Sequence, residues 1–291
     1  MDEKNWLAGK FEENRGHLRA VAYRMLGSVS EADDAVQEAW LRLNRSDANE
    51  IENLGGWLTT VVGRICLDML RTRVSRREDS LEARMPEPIL SRGGQIDPER
   101  QALMADSIGM ALLVVLETLA PQERLAFVLH DMFAVPFEEI AAILGCSATA
   151  ARQMASRARR RVRGAAPVPD PDVARQRKVV DAFLAAAERG DFEGLVAVLH
   201  PDVVLHSDGV LDPVRELHGA RTIAAQAARF SKIALSIEHV LVNGAAGLIS
   251  RRADGTPFSL LAFTVKDGKI VEIDVIGDPE RLRRLNLASR S

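Results

Sequence analysis

Arg152, Arg157, Arg159, Arg160, Arg161 and Arg163 crowd one short stretch of this chain, with Thr149 and Gln153 beside them. Guanidinium groups suit phosphate oxygens and guanine edges, while hydroxyl and amide side chains add donors to a DNA backbone. The alternative is an Ala- and Arg-rich helix with a solvated face, and the residues ahead of the arginines decide against it. Phe137, Ile140, Ala141 and Leu144 recur at helical spacing, Gly145 breaks that helix, and Ser147 is placed to cap a second. Two helices joined by a short Gly-containing turn predict a helix-turn-helix whose second helix enters the major groove. Small alanines on the inner side of that helix allow close packing on the first.

Two further sets of side chains could do chemistry. Asp202, His206, Asp208, His218 and Asp274 lie in the last third of the chain. A His–Asp pair among them can move protons if burial brings its pKa values toward working pH. The plainer expectation for each histidine is a satisfied polar residue near a strand end. Asp34, Gln37 and Glu38 are spaced three and four apart, so they share one helix face. Their bland reading is ordinary solvated surface.

Composition bounds these readings. The chain has 291 residues, 47% of them hydrophobic, enough for two or three domains with separate cores. No apolar run approaches the roughly 20 residues that span a bilayer. The first residues, MDEKNWLAGKFEENRG, are acidic and unlike a signal peptide. Cys66 and Cys146 are far apart and lack metal-ligand spacing, so reduced thiols are expected. A cytoplasmic chain without membrane partner, metal or cofactor is the expectation. The net charge of −3 hides an uneven distribution: Arg71, Arg73, Arg76 and Arg77 form a second basic cluster, and acids gather from Glu31 to Glu38.

The elements that would position these groups can be read in order. Residues 11 to 80 read as a helical domain, with Phe11, Leu18, Ala22, Met25 and Leu26 on one face up to Gly27-Ser28. Ser30 is placed as the next N-cap, with Asp33 completing an acidic capping arrangement. Ala35, Val36, Ala39, Trp40 and Leu43 then point inward. The helix from Trp57 to Arg71 is apolar on most of its circumference and should be central, with Trp57 a core anchor. In the segment from Leu81 to Gln101, Met85-Pro86-Glu87-Pro88 must be extended. Pro-rich AAPVPDPDV then marks a semi-rigid hinge.

Beyond the hinge, helices are predicted at Val173–Arg189, Phe192–Leu199 and Ala220–Lys232, and strands at Val203–Ser207, Leu235–Val242, Gly247–Arg252, Phe258–Lys266 and Lys269–Ile276. Asp254-Gly255 and Asp267-Gly268 supply turns, and Asp278-Pro279 starts a short helix. Helices followed by a curved antiparallel sheet predict an α+β cone enclosing a pocket.

FEENRGHLRAVAYRMLGSVSEADDAVQEAWLRL with GGWLTTVVGRICLDMLRTRVSRRE resembles region 2 of bacterial extracytoplasmic-function (ECF) sigma factors. LAPQERLAFVLHDMFAVPFEEIAAILGCSATAARQMASRARRRV resembles region 4 of the same family. The resemblance implies two all-α sigma domains that bind core RNA polymerase and promoter DNA. It implies polymerase contact through Asp34, Gln37 and Glu38. It implies −10 recognition near Asn49 and Asn53, with Arg64 and Arg71 on phosphates, and capture of a flipped base. It implies −35 contact through Ser147, Thr149, Arg152, Gln153 and Arg157. Ala148, Ala150 and Ala151 depart from this picture by making the front of the helix small, which favours reading by DNA shape.

The C-terminal order resembles the SnoaL-like domain, which shares its fold with ketosteroid isomerases. The implied boundaries are 1–81 for region 2, 82–107 for the linker, 108–164 for region 4, 165–174 for the hinge and 175–291 for the SnoaL-like domain. Sigma factors carrying this extension have a similar Pro-Glu-Pro motif in the linker and short motifs similar to the Asp254-Gly255 turn and to Asp278-Pro279. The resemblance therefore implies regulatory contacts at Pro86, Glu87, Pro88, Asp254, Gly255, Asp278 and Pro279, with the cone able to take a small-molecule ligand. An enzyme fused to a DNA-binding regulator is the rival reading, since this fold hosts isomerases and cyclases. Isomerases of the fold often use a tyrosine as oxyanion donor, and the only tyrosine is Tyr23. The expectation is therefore a sigma factor regulated in cis and not an enzyme.

Overall fold

The protein was analysed as a computed structural model that describes residues 3–46, 51–76, 85–91, 109–165, 167–208, 216–230 and 235–285. Its described residues form two compact units, one from residues 3–86 and 113–165, the other from 87–91, 109–112 and 167–285.

The first unit is helical. Helices α1 (Glu3–Leu26), α2 (Val29–Leu43) and α3 (Leu54–Arg76) pack around Phe11, Leu18, Met25, Val36, Leu43, Leu58, Val62 and Leu67, all buried. The chain turns from α1 into α2 at Gly27, whose φ of +66° suits only glycine here, since a Cβ would lie 2.6 Å from Glu117 Oε1. The N-cap of α2 is Ser28, in extended conformation, and not the expected Ser30. The left-handed glycine brings the chain into helix two residues early, and the Ser30 hydroxyl instead lies 3.1 Å from that of Ser28. Asp33, expected to complete the cap, pairs with Arg19 at 2.5 Å.

Four more helices complete this unit: the end of α4 (Met110–Glu117), α5 (Pro121–Phe127), α6 (Phe137–Leu144) and α7 (Ala148–Ala165). A π-helical stretch, Val128–Met132, prolongs α5. Gly145, at φ +67°, closes α6 in the left-handed conformation that a helix C-terminus favours. Ala151, Ala155 and Ala158 are fully buried, which lets α7 pack closely across α5 and α6.

The second unit is α+β. Helices α8 (Val173–Arg189), α9 (Phe192–Val198) and α10 (Ala220–Phe230) accompany a seven-stranded sheet. Its strands are β1 (Leu90–Ser91), β2 (Leu199–Ser207), β3 (Glu216–His218), β4 (Ser236–Val242), β5 (Ala245–Arg251), β6 (Pro257–Lys266) and β7 (Lys269–Ile276), in spatial order β1-β4-β5-β6-β7-β2-β3. All neighbours are antiparallel except β2 and β7, which run parallel, a departure from the wholly antiparallel expectation. The connection from β2 to β7 passes through α10 and four strands, so a hairpin is not required between them. Val180, Phe183, Leu195, Ile223, Leu248, Phe263 and Ile273 form the core between helices and sheet. Gln176 ties the two layers, donating to Asp170 O at 2.5 Å and accepting from Ala246 N at 2.9 Å. The short helix α11 (Pro279–Arg284) is capped by Asp278.

Candidate nucleic-acid interface and C-terminal cavity

The helix-turn-helix is α6, the Gly145 turn and α7. Ser147 caps α7, accepting from Ala150 N at 3.2 Å. Thr149, Arg152 and Gln153 are exposed on the face opposite the buried alanines, while Ala151 belongs to the buried side and not to the reading face. Arg152 lies over the Phe137 ring, 5.0 Å from its centroid. Three of the arginines pair within the unit: Arg157 with Glu123 at 2.6 Å, Arg159 with Asp131 at 2.7 Å and Arg161 with Glu123 at 3.7 Å. These pairs fix the side chains along the helix, and the exposed half of Arg157 stays available to solvent-side partners.

On α2, Asp34 and Gln37 are exposed, and the half-buried Glu38 pairs with Arg42 at 3.0 Å. Leu41, an exposed leucine, continues this face and was missed in the sequence reading because its position among charged residues carries no periodic signal. Asn53 starts α3, its Oδ1 accepting from Gly56 N at 3.0 Å. Asn49 lies outside the described residues, as does Arg77. Arg71 is exposed and 3.7 Å from Asp68.

Arg64 projects from α3 toward the helix-turn-helix and donates to Ala142 O at 3.2 Å. Region 4 elements therefore lie against the helix assigned to −10 reading. Gly63 marks the close approach, since a Cβ there would stand 3.4 Å from Leu129 Cδ1 and 3.5 Å from Ile143 Cδ1. Beside it runs a buried chain of charges. Glu31 pairs with Arg73, Arg73 reaches Glu117 at 3.6 Å, and Glu117 pairs with Arg124 at 3.0 Å. Arg124, only 2% exposed, also donates to Arg24 O at 3.1 and 3.2 Å. Burial pulls the Arg124 pKa down, and Glu117 opposes that pull by favouring the charged form. An arginine amid LAPQERLAF reads as surface in sequence, so neither Arg124 nor Glu117 was expected here. Cys66, on the buried side of α3, is a free thiol that burial pushes up to about 12.

In the second unit the linker supplies β1, a strand that sequence reasoning missed. Leu90 pairs with Val242 and Ser91 with Leu241. Asn243 holds the entry to this strand, its Oδ1 accepting from Ile89 N at 2.6 Å and its N donating to Ile89 O at 2.8 Å. Asn243 (φ +49°) and Gly244 (φ +82°) form the two-residue turn from β4 to β5. The Asn-Gly dipeptide between two strand runs was the signal that could have found it.

Pro86 and Pro88 are buried just ahead of β1, with Glu87 half-buried. Asp254 and Gly255 lie in the exposed β5–β6 turn, whose neighbouring pair is Ser236 with Arg251, at the far end of β4 from Val242. They are not brought to the linker strand. Asp254 instead accepts from Thr256, which lowers its pKa. Asp278 accepts from Glu280 N and Arg281 N, and Pro279 opens α11.

The cone encloses a cavity of about 220 Å³. Apolar side chains from α8, α10 and five strands line it, among them Phe183, Ile223, Ile237 and Leu248. None of Asp202, His206, Asp208, His218 and Asp274 lines it, which leaves the rival proton-transfer reading without a site in the cavity. The physical reason is strand alternation: Ile273 and Val275 face the cavity, so Glu272 and Asp274 between and beside them face away. His206 lies near Glu272 at 3.6 Å, and burial lowers its pKa. Burial, reinforced by Glu216, pushes Glu272 up to about 7. Burial next to Glu272 raises Asp274 well above the usual carboxylate range. Asp208 accepts from Gly277 N and Asp278 N at 2.7 and 2.8 Å, a structural role. His218 pairs with Glu216 at 2.8 Å.

Comparison with known proteins agrees with this architecture. Residues 11–76 match Sigma-70 region 2, residues 109–162 match Sigma-70, region 4, and residues 180–273 match the SnoaL-like domain. The chain is 39% identical to the ECF RNA polymerase sigma factor SigJ of Mycobacterium tuberculosis, over 97% of this chain and 95% of that protein. It is 30% identical to the probable ECF RNA polymerase sigma factor SigI of the same species, over 97% of each. The crystal structure of SigJ superposes with a TM-score of 0.76, covering 95% of this chain and 98% of the other. Both of these relatives are named as ECF RNA polymerase sigma factors. Among the described residues no helix is long and apolar enough to cross a membrane. With sigma regions 2 and 4 in order, and a SnoaL-like domain after them, the chain belongs to the ECF RNA polymerase sigma factors.

Proposed function

We propose that this sigma factor directs promoter-specific initiation by cytoplasmic core RNA polymerase and rests in a closed form that its own C-terminal domain controls. Asp34, Gln37 and Glu38, with Leu41, meet the polymerase. Arg64, Arg71 and Asn53 serve the −10 element, and Ser147, Thr149, Arg152, Gln153 and Arg157 serve the −35 element. In the resting form Arg64 is spent on Ala142 O and α3 lies under region 4. Both promoter elements then require the two regions to part, at the cost of the Glu31–Arg73–Glu117–Arg124 chain.

The observation that carries control in cis is the linker strand. The segment joining regions 2 and 4 is hydrogen-bonded to the edge of the C-terminal sheet through β1 and Asn243. A tethered domain acts at high effective concentration, so two backbone pairs and one side-chain bond suffice to bias the linker. Pro86, Glu87 and Pro88 set the approach to this strand, while Asp254, Gly255, Asp278 and Pro279 keep the ends of the sheet in shape. A small molecule in the cavity shifts the balance only by binding the two forms with unequal affinity. Run-off transcription with core polymerase tests the reading, comparing the full chain, Asn243→Ala and a 1–167 truncation at equal protein level. A changed yield gives the sign of control. Equal yields from all three would remove the C-terminal domain from regulation.

A further inference from the structure

The cavity of the second unit has a polar feature that its packing does not need. Ser250 and Ser259 stand opposite each other on β5 and β6, both line the cavity, and both are buried. Their hydroxyl oxygens are 2.6 Å apart, so one donates to the other. That bond consumes one of two hydroxyl protons. The second has at best a long contact, Ser250 Oγ lying 3.5 Å from Ser259 O. A buried hydroxyl proton without a good acceptor is costly to keep, and a ligand oxygen at this wall would satisfy it.

The rest of the lining sets the remaining chemistry. Leu205, Leu261, Ile273 and Val275 form the sheet wall, and no lysine, arginine or histidine lines the cavity among the described residues. The one charged liner among the described residues is Glu188, which is exposed. Among these residues an anion would meet a carboxylate and no counter-charge, and would lose its hydration without replacement. Cavities of about 150 Å³ hold benzene, so this larger one holds a bicyclic molecule of about ten heavy atoms.

We propose that the cone binds a neutral, compact one- or two-ring molecule whose single accepting oxygen takes a hydrogen bond from the Ser250–Ser259 pair. This deepens the regulatory reading of the same domain, although binding itself does not depend on it. The ring system packs between Phe183 on α8 and Leu248 on β5, and the oxygen replaces the long contact of Ser250.

Calorimetry on the full chain tests this with three probes of one shape: 1-indanone, indane and indane-1-carboxylate. One site is expected for 1-indanone, with the carboxylate at least about thirtyfold weaker. Ser250→Ala with Ser259→Ala removes both hydroxyls without orphaning either. That double variant should weaken 1-indanone about tenfold and leave indane unchanged. Ala227→Leu, at the α10 wall, should abolish binding of both neutral probes by filling the space. A folded Ala227→Leu protein that binds 1-indanone normally would overturn the assignment, as would equal affinity for ketone and carboxylate. Absence of binding by both neutral probes up to their solubility would also overturn it. The assay contains no polymerase. Binding without any effect on run-off transcription would therefore strike control by this class of ligand and leave the site standing.

Discussion

Glu117→Gln probes the buried charge chain with a change of one charge and almost no change of shape. In the wild-type protein Glu117, 8% exposed at its side chain, faces Arg124 at 3.0 Å and Arg73 at 3.6 Å. Removing its charge leaves two buried guanidinium groups with Glu31 as their remaining counter-charge and the Arg24 and Leu26 carbonyls as acceptors. Breaking a buried ion pair from one side costs about 3–5 kcal/mol, a large part of the roughly 5–15 kcal/mol that holds a domain together. With a urea slope of about 2 kcal/mol/M, the unfolding midpoint should fall by about 2 M. The assay is selective, because all three tryptophans, Trp6, Trp40 and Trp57, belong to the helical unit. Tryptophan fluorescence therefore follows this unit without contribution from the sheet domain. The companion variant replaces both partners, Glu117→Leu with Arg124→Met, and should recover most of the loss, because neither charge is then stranded. A midpoint within about 0.3 M of wild type for Glu117→Gln would refute the argument that this chain of charges holds the regions together.

Other outcomes follow from the same geometry. Asn243→Ala loses the acceptor for Ile89 N and places alanine at φ +49°, together about 2 kcal/mol, so amide exchange over residues 85–91 should quicken about thirtyfold. Unchanged exchange would mean the linker strand is held by something else. Glu272 has its folded pKa raised from 4.5 to about 7, so the folded state holds the extra proton and its stability is present below about pH 4.5 and lost as pH rises through 7. Glu272→Gln should flatten that loss, worth roughly 3 kcal/mol at most, in calorimetric melting between pH 5 and 8. An unchanged pH profile would contradict it. Arg152→Ala should weaken duplex promoter binding at all sequences alike and lower the slope of log Kd against log salt by about 1. A sequence-dependent loss would assign Arg152 to base reading instead.

The parts legible in the sequence were those written in periodicity and turn chemistry. Lys269–Ile276 is a strand at the bounds its alternation and the Asp267-Gly268 turn predict, and α8 runs from Val173 to Arg189 as its pattern indicates. The Gly145 break and the Ser147 cap are local chemistry and were readable for that reason. What escaped depends on residues distant in the chain. A two-residue strand such as Leu90–Ser91 has no period to detect, and exists only because β4 offers it an edge. Arg124 is surface-like by type and becomes buried only because Arg24 O and Glu117 receive it. The choice of Ser28 over Ser30 as cap turned on the conformation of Gly27, which no side-chain pattern records. The proton-transfer reading of Asp274 failed on a single step of strand phase, one residue from the cavity wall.

The two-residue strand β1 has a consequence for the lifetime of the active form. Beside Leu241 and Val242 it occupies hydrogen-bonding groups that would otherwise point out from the border of the sheet. Uncovered borders recruit strands from other molecules, and proteins shield them for that reason. Freeing the linker for transcription would thus bare a sticky edge at the moment the factor switches on. Activation and susceptibility to self-association or proteolysis would rise together, giving the signal a built-in limit on its duration.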